Sequence, residues 1–216
     1  MNSLAPHLDL ANHHANAAPK DIKKLCADVV SYSLHAAFVN PCYITLAKEA
    51  LAGKAPVGTA ISFPLGQETV SGKRAAANEA VQLGADELDV VPNLGLFLSG
   101  DKNGFLSEMA AIAESARMPG KPVIVKFIIE TGYLTDGQIG EAAQLVVQSG
   151  ADFVKICSGM GPRGASTHDV EVVRAAVGPD VKIKVAGGID TRGAAEAMLA
   201  AGANRIGTSH AVQIIS

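Results

Sequence analysis

The sequence predicts a single domain, residues 1–216, with a (β/α)8 TIM-barrel fold of the α/β class, and three observations carry that expectation. Short β-branched apolar runs alternate with Ala-rich stretches along the whole chain, which is the pattern of repeated βα units around a parallel sheet. Up to eight such units can be counted. A motif recurs as Gly84-Ala85-Asp86, Gly150-Ala151-Asp152 and Gly202-Ala203-Asn204, each time between an Ala-rich stretch and an apolar run. Glycine at that place suits the left-handed residue that ends a helix. Length agrees, because 216 residues at 48% apolar composition suffice for one sizeable core and not for two. Counting alone leaves a seven-stranded or doubly wound sheet as the alternative.

In chain order the expected strands are Leu8 to Ala11, His35 to Asn40, Val57 to Phe63, Glu87 to Pro92, Val123 to Glu130, Phe153 to Ser158, Val181 to Gly187 and Arg205 to Ser209. The first has the weakest signal. Helices expected between them include Pro19 to Tyr32, Thr69 to Leu83, Thr135 to Gln148 and Thr191 to Ala200. They open on Pro or Thr, and several close at Gly, as helix ends favour. The segment Ala211 to Ser216 is too short for a full helix after the last strand, so one side of the barrel should be exposed.

Eighteen Lys plus Arg against 21 Asp plus Glu give a net charge of -3. No basic field is available for nucleic acid or an anionic membrane, which leaves a small molecule as the expected partner. Cys26, Cys42 and Cys157 are odd in number and far apart, which suits free thiols in the cytoplasm. Met1 to Leu10 lacks a basic segment followed by an apolar one, and no stretch approaches the roughly 20 apolar residues of a membrane span.

A buried parallel strand should read as a nearly continuous apolar run, so ionisable residues inside one need a reason. Asp89, Lys126, Lys155, Lys182 and Lys184 all lie in such runs. In Val181 to Val185 the period of two sets Val181, Ile183 and Val185 on one face and both lysines on the other, which must then face the barrel interior. Lys184, Lys155 and Asp89 lie towards the carboxyl ends of their strands, where barrel active sites are built. Lys126 and Lys182 suit ion pairing as well as shaping the field of a site. Three lysines and an aspartate near the tops of neighbouring strands are too many charges for packing alone.

Chemistry accounts for that combination. A lysine attacks a carbonyl only as the neutral amine, and an ordinary pKa of about 10.4 leaves almost none at neutral pH. Burial and a second ammonium nearby both lower that value. Lys155 with Lys184 beside it meets both conditions, and Asp89 can move protons while a carbon–carbon bond breaks. The protonated imine serves as the electron sink, so neither a metal nor another cofactor is needed.

Asp152-Phe153-Val154-Lys155 with Ser158-Gly159, Lys184-Val185-Ala186-Gly187-Gly188-Ile189 and Arg205-Ile206-Gly207-Thr208-Ser209 together resemble the deoxyribose-phosphate aldolase family. The similarity covers nearly the whole chain and includes Val39-Asn40-Pro41, Phe63-Pro64-Leu65-Gly66, Glu87-Leu88-Asp89-Val90-Val91 and Lys126-Phe127-Ile128-Ile129-Glu130-Thr131. It implies a class I aldolase, an aldehyde lyase cleaving 2-deoxy-D-ribose 5-phosphate to glyceraldehyde 3-phosphate and acetaldehyde in nucleoside catabolism. Lys155 would form the Schiff base, Asp89 and Lys184 would relay protons, and Lys126 would belong to the inner network that helps to shape the substrate site. Ser158, Gly159, Gly187, Gly188 and Ser209 would hold the sugar phosphate, and a Gly-Gly turn at a helix start can cradle an anion on physical grounds too.

Departures from the family pattern concentrate at the substrate end. Where the family has Lys-Thr-Ser-Thr-Gly, the chain reads Lys155-Ile156-Cys157-Ser158-Gly159, and where it has Asp-His-Thr the chain reads Asp9-Leu10-Ala11. Asp190 replaces an Arg after the Gly-Gly turn, and His210 replaces a closing serine. A carboxylate there should weaken a phosphate site unless His210 or Arg192 compensates; alternatively, Asp190 turns away to cap the helix beginning at Thr191. These changes keep two other readings open, a Schiff-base lyase on a different or non-phosphorylated aldol and a non-catalytic barrel that binds a sugar phosphate. His13 and His14 are adjacent and cannot converge as an i, i+4 metal pair. Cys157, two residues after Lys155, reads as a small buried hydrophobe. Oligomeric state is open, with a homodimer among the assemblies available.

Overall fold

Eight parallel strands pair in sequence order and close on themselves, with β1 against β8, so the seven-stranded and doubly wound alternatives fall. The computed structural model describes residues 4–117 and 120–216; the first three residues of the Met1 to Leu10 stretch lie outside it. The strands are β1 Leu8–Asn12, β2 Ala36–Val39, β3 Val57–Ile61, β4 Glu87–Val90, β5 Ile124–Ile128, β6 Phe153–Lys155, β7 Lys182–Ala186 and β8 Arg205–Thr208. The α-helices are α1 Pro19–Ser31, α2 Ile44–Leu51, α3 Val70–Leu83, α4 Leu94–Leu98, α5 Lys102–Ala116, α6 Asp136–Gln148, α7 Thr167–Val177, α8 Arg192–Ala200 and α9 Ala211–Ile215, with short 3-10 turns at Ala5–His7, Pro41–Tyr43 and Thr131–Tyr133. The expected incomplete last helix is the five-residue α9, which buries Ala211 and Ile214. None of these helices is long and apolar enough to cross a membrane.

Most strands end sooner than their apolar runs predict, mainly at the carboxyl side. Ser62 after β3 has φ 56°, Glu130 after β5 has φ 46°, and Gly187 and Gly188 after β7 have φ 87° and 74°. A left-handed residue turns the chain out of the extended ladder. The freed residues become the loops of the active rim. At the helix starts, Thr69, Thr135 and Thr191 are caps rather than first helical residues, their side chains accepting from the amides of Gly72, Gln138 and Ala194.

The recurring Gly-Ala-Asp/Asn motif fixes register three times over. Gly84, Gly150 and Gly202 have φ 115°, 81° and 111°, which glycine adopts freely as each helix ends. Two residues on, Asp86 Oδ2 accepts from Val57 N, Asp152 Oδ2 from Val125 N and Asn204 Oδ1 from Ile183 N, each at 2.8 Å. The backbone amides of Asp86, Asp152 and Asn204 return a bond to the same three residues' carbonyls, again at 2.8 Å. Each copy thus ties the start of one strand to the start of its predecessor.

The apolar core is a sleeve between sheet and helices. Outward-facing Leu8, Val57, Leu88, Val125, Phe127, Val154, Ile183, Val185 and Ile206 pack there against Ile22, Val29, Ala77, Phe105, Ile139 and Val170. The inward positions are different in kind: Asp9, Glu87, Asp89, Lys126, Lys155 and Lys184 are all at most 4% exposed. Phe38 fills the space among them so closely that a Cβ at Gly58 would lie 2.3 Å from its ring. Six buried ionisable side chains inside a barrel are a poor way to gain stability, since desolvation offsets most of their attraction. Their arrangement therefore points to chemistry.

Candidate active site

Strand register brings the charges together. Asp89 on β4 pairs with Lys126 on β5, and Lys155, the last residue of β6, pairs with Lys184 on β7. Lys155 Nζ lies 2.8 Å from Asp89 Oδ2, and Lys184 Nζ lies 2.8 Å from the same oxygen. The two amines are therefore immediate neighbours across one carboxylate oxygen. Lys126 Nζ takes the other oxygen at 3.0 Å and also meets Glu87 Oε2 at 2.6 Å. Beneath them Lys184 reaches Asp9 Oδ2 at 2.7 Å, and Arg205 meets Asp9 at 3.2 Å and Glu87 at 3.6 Å.

The arrangement separates one lysine from the rest. Among the described residues, Lys126, Lys184 and Arg205 each meet two of the carboxylates Asp9, Glu87 and Asp89, with His35 hydrogen-bonded to Glu87 as well. Lys155 meets only one, Asp89. Burial pushes its pKa down and Lys184 and Lys126 add repulsion, which together outweigh the pull of Asp89. For Lys126, burial is outweighed by Asp89, Glu87 and Asp9, which hold it above the usual lysine value. Burial alone would raise Asp89, but Lys126, Lys155 and Lys184 hold its carboxyl well below the usual range. A lysine that gives up its proton more readily than usual, beside a fixed carboxylate, is an arrangement that can attack a carbonyl and exchange protons with the adduct.

Lys155, Asp89 and Lys184 open onto a cavity of about 210 Å³ at the carboxyl end of the barrel, lined also by Ser158, Gly159, Gly187, Gly188 and Ser209. Eight of the nine expected site residues thus share one cavity. The ninth, Lys126, is fully buried and does not line it; its ammonium acts from below, through Asp89. Lys182 shares the inward phase of β7, but it starts the strand at the opposite end and is exposed. The loops after β6 and β7 touch backbone to backbone: a Cβ at Gly187 would lie 2.9 Å from Gly159 Cα. Glu130 Oε2 accepts from Ser158 N at 3.1 Å, while Ser158 Oγ accepts from Met160 N at 2.9 Å, which fixes the loop behind Lys155.

At the substrate end Asp190 lines the cavity and meets His210 Nδ1 at 3.1 Å, with Ser209 Oγ also 3.1 Å from that nitrogen. The alternative role of Asp190 as a helix cap is wrong, because Thr191 caps α8 with its own side chain. His210, and not Arg192, is the side chain in contact with Asp190; Arg192 instead approaches Glu196 and the Ile215 carbonyl. Cys157 is buried, with its Sγ 3.1 Å from Thr131 Oγ1, and burial pushes its thiol up to about 11. Because β6 ends at Lys155, strand alternation does not carry Cys157 to the cavity.

Two features of the site escape the strand-end reading. Asp9, Glu87 and Arg205 complete the interior network, and the same period-two rule that marked Lys184 would have marked them. His13, just past β1, also lines the cavity, its ring centroid 5.2 Å from that of Phe63. Burial, helped by the Lys155 charge, pushes its imidazole down to about 4. No periodicity marks a residue in a loop.

A barrel with a lysine such as Lys155 in its rim cavity is equipped for lyase chemistry on a carbonyl compound, and comparison with known proteins places it among the aldolases. The DeoC/LacD family aldolase profile matches residues 6–210. A deoxyribose-phosphate aldolase of Thermococcus gammatolerans is 41% identical over 215 residues, covering 98% of this chain and 95% of that one. One from Caldicellulosiruptor saccharolyticus is 42% identical over 214 residues, covering 99% and 97%. Among solved structures, an aldolase called QR15 superposes with a TM-score of 0.94 at 33% identity, covering 100% of this chain and 95% of the other. The chain belongs to the DeoC/LacD family of aldolases. It is accordingly an aldolase, a lyase that breaks carbon–carbon bonds.

Proposed function

We propose that the protein cleaves 2-deoxy-D-ribose 5-phosphate to D-glyceraldehyde 3-phosphate and acetaldehyde through a Schiff base at Lys155. The observation that carries this reading is the position of Lys155, buried 2.8 Å from Asp89, beside Lys184 and open to the cavity. The neutral amine adds to C1 of the open-chain aldehyde, and loss of water leaves a protonated imine. A base removes the proton from the C3 hydroxyl, the C2–C3 bond breaks, and its electron pair moves into the imine to form an enamine. Glyceraldehyde 3-phosphate departs with the new carbonyl at its C1. Protonation of the enamine at C2 and hydrolysis then release acetaldehyde and restore the amine. Asp89 and Lys184 form the proton relay, and Lys126 keeps Asp89 ionised. Ser158, Gly159, Gly187, Gly188 and Ser209 receive the phosphate end.

The names of the relatives support this substrate, and the three unpaired cysteines support a cytoplasmic setting. We also propose self-association, as a homodimer at least. A related aldolase from Aeropyrum pernix, 28% identical with a TM-score of 0.90, is described as having a unique tetrameric structure. Its test is light scattering in dilute solution. For activity, the test is direct: wild-type protein given deoxyribose 5-phosphate should release acetaldehyde and glyceraldehyde 3-phosphate in equal amounts. Release from free deoxyribose at comparable kcat/KM would favour a non-phosphorylated substrate instead, the second reading, which the Asp190–His210 pair motivates.

A further inference from the structure

The cavity holds one polar side chain that the proposed chemistry leaves unused. His13 lines it together with Lys155, Asp89 and Ser158, on the loop that leaves β1. Its Nδ1 is shut off from solvent and has no hydrogen-bond partner among the described residues; the Asn40 side chain approaches the ring without bonding that atom. A buried ring nitrogen left without a partner is costly and calls for a reason. Its neighbours in the cavity are already engaged. Asp89 is held by three lysines, Thr208 Oγ1 donates to Ile189 O and accepts from His210 N, and Ser158 Oγ accepts from Met160 N.

We propose that His13 is a specificity-determining residue whose imidazole hydrogen-bonds a hydroxyl of the aldol held at Lys155. A neutral imidazole offers one N–H donor and one acceptor nitrogen, which matches a hydroxyl, itself donor and acceptor. Burial above all holds the ring below the usual imidazole range, so it complements an uncharged group rather than the phosphate. The Phe63 ring packs against it in a tilted contact, centroids 5.2 Å apart. This role rests on the aldolase reading above and names the part of the substrate that the ring recognises.

Acetaldehyde carries no hydroxyl, so its reactions should not need His13. Enamine formation from acetaldehyde exchanges its C2 hydrogens with deuterium oxide and can be followed by NMR beside the cleavage of deoxyribose 5-phosphate. His13→Leu should lower kcat/KM for cleavage about three- to tenfold, the worth of one hydrogen bond between uncharged groups, and leave acetaldehyde exchange unchanged. His13→Gln, which keeps a donor and an acceptor, should recover part of the loss. An equal fall in both reactions would assign His13 a general structural role, and an undiminished cleavage rate in His13→Leu would show that the ring makes no contact with substrate; either overturns the proposal. Absence of C2 exchange in the wild type would instead contradict the imine itself.

Discussion

Reactivity at Lys155 turns on how tightly it holds a proton, and its neighbours pull in opposite directions. Lys184 repels that proton and Asp89 retains it. Replacing Lys184 with Leu removes a repulsion and leaves Asp89 a stronger claim on Lys155, so the acidic limb of the pH–rate profile should move to higher pH as the rate falls. In Asp89→Asn the retaining charge is lost, so the limb should move to lower pH while kcat drops by roughly 10²–10⁴ with the relay. Rate profiles of both variants check the signs; a shift in the same direction for both would contradict the assignment. At the other end of the cavity, Asp190→Arg should lower KM for deoxyribose 5-phosphate about two- to fivefold, a modest effect because Asp190 is 58% exposed. Parallel assays with free deoxyribose, for which no change is expected, decide whether charge is the cause. Much of this was legible from single residues. Lys155, Lys184 and Asp89 stand out as charges in buried strands, whereas His13 sits in a loop without a period, and the Asp190–His210 contact joins loops that sequence spacing does not relate.

The strand–helix units owe their register to the motif that recurs before β4, β6 and β8. Asp152→Ala would leave Val125 N without its acceptor and should cost about 1–3 kcal/mol, whereas Asp152→Asn should cost far less, because Asn204 already serves in the third copy. Urea unfolding midpoints of the two variants test this, and equal losses would mean that charge rather than the hydrogen bond matters. Helix ends were readable because Thr, Pro and Gly each do one local job there. Strand ends were not, since apolar runs such as Val57 to Phe63 continue past the ladder while Ser62 turns the backbone out at φ 56°. The buried pair Lys73–Glu108, at 2.6 Å, was also hidden. Lys73 donates to Gly66 O and Glu108 accepts from Asn93 N, so together they tie the loops after β3 and β4, yet the two lie far apart in sequence.

Across the whole molecule, an apolar sleeve supplies stability and a charged interior supplies chemistry, and the two respond differently to pH. Glu87 and Asp89 ordinarily titrate at 4.5 and 3.8. Burial would raise both, but the surrounding lysines lower them in the folded state. Their contribution to stability is therefore complete above the ordinary values and is lost as pH falls from there towards the lowered ones. Lys155 works the other way. Its lowered pKa means that the unfolded chain binds the extra proton, so this group favours folding more as pH rises towards 10.5. Barrel closure places that one depressed lysine at the rim, and the central claim is that it alone becomes the imine. The most direct test is reduction with borohydride in the presence of acetaldehyde, read by intact mass and peptide mapping. A single ethyl group on Lys155, absent from Lys155→Leu, is the predicted result; a label on Lys184 or Lys126, or one that persists in Lys155→Leu, would contradict it.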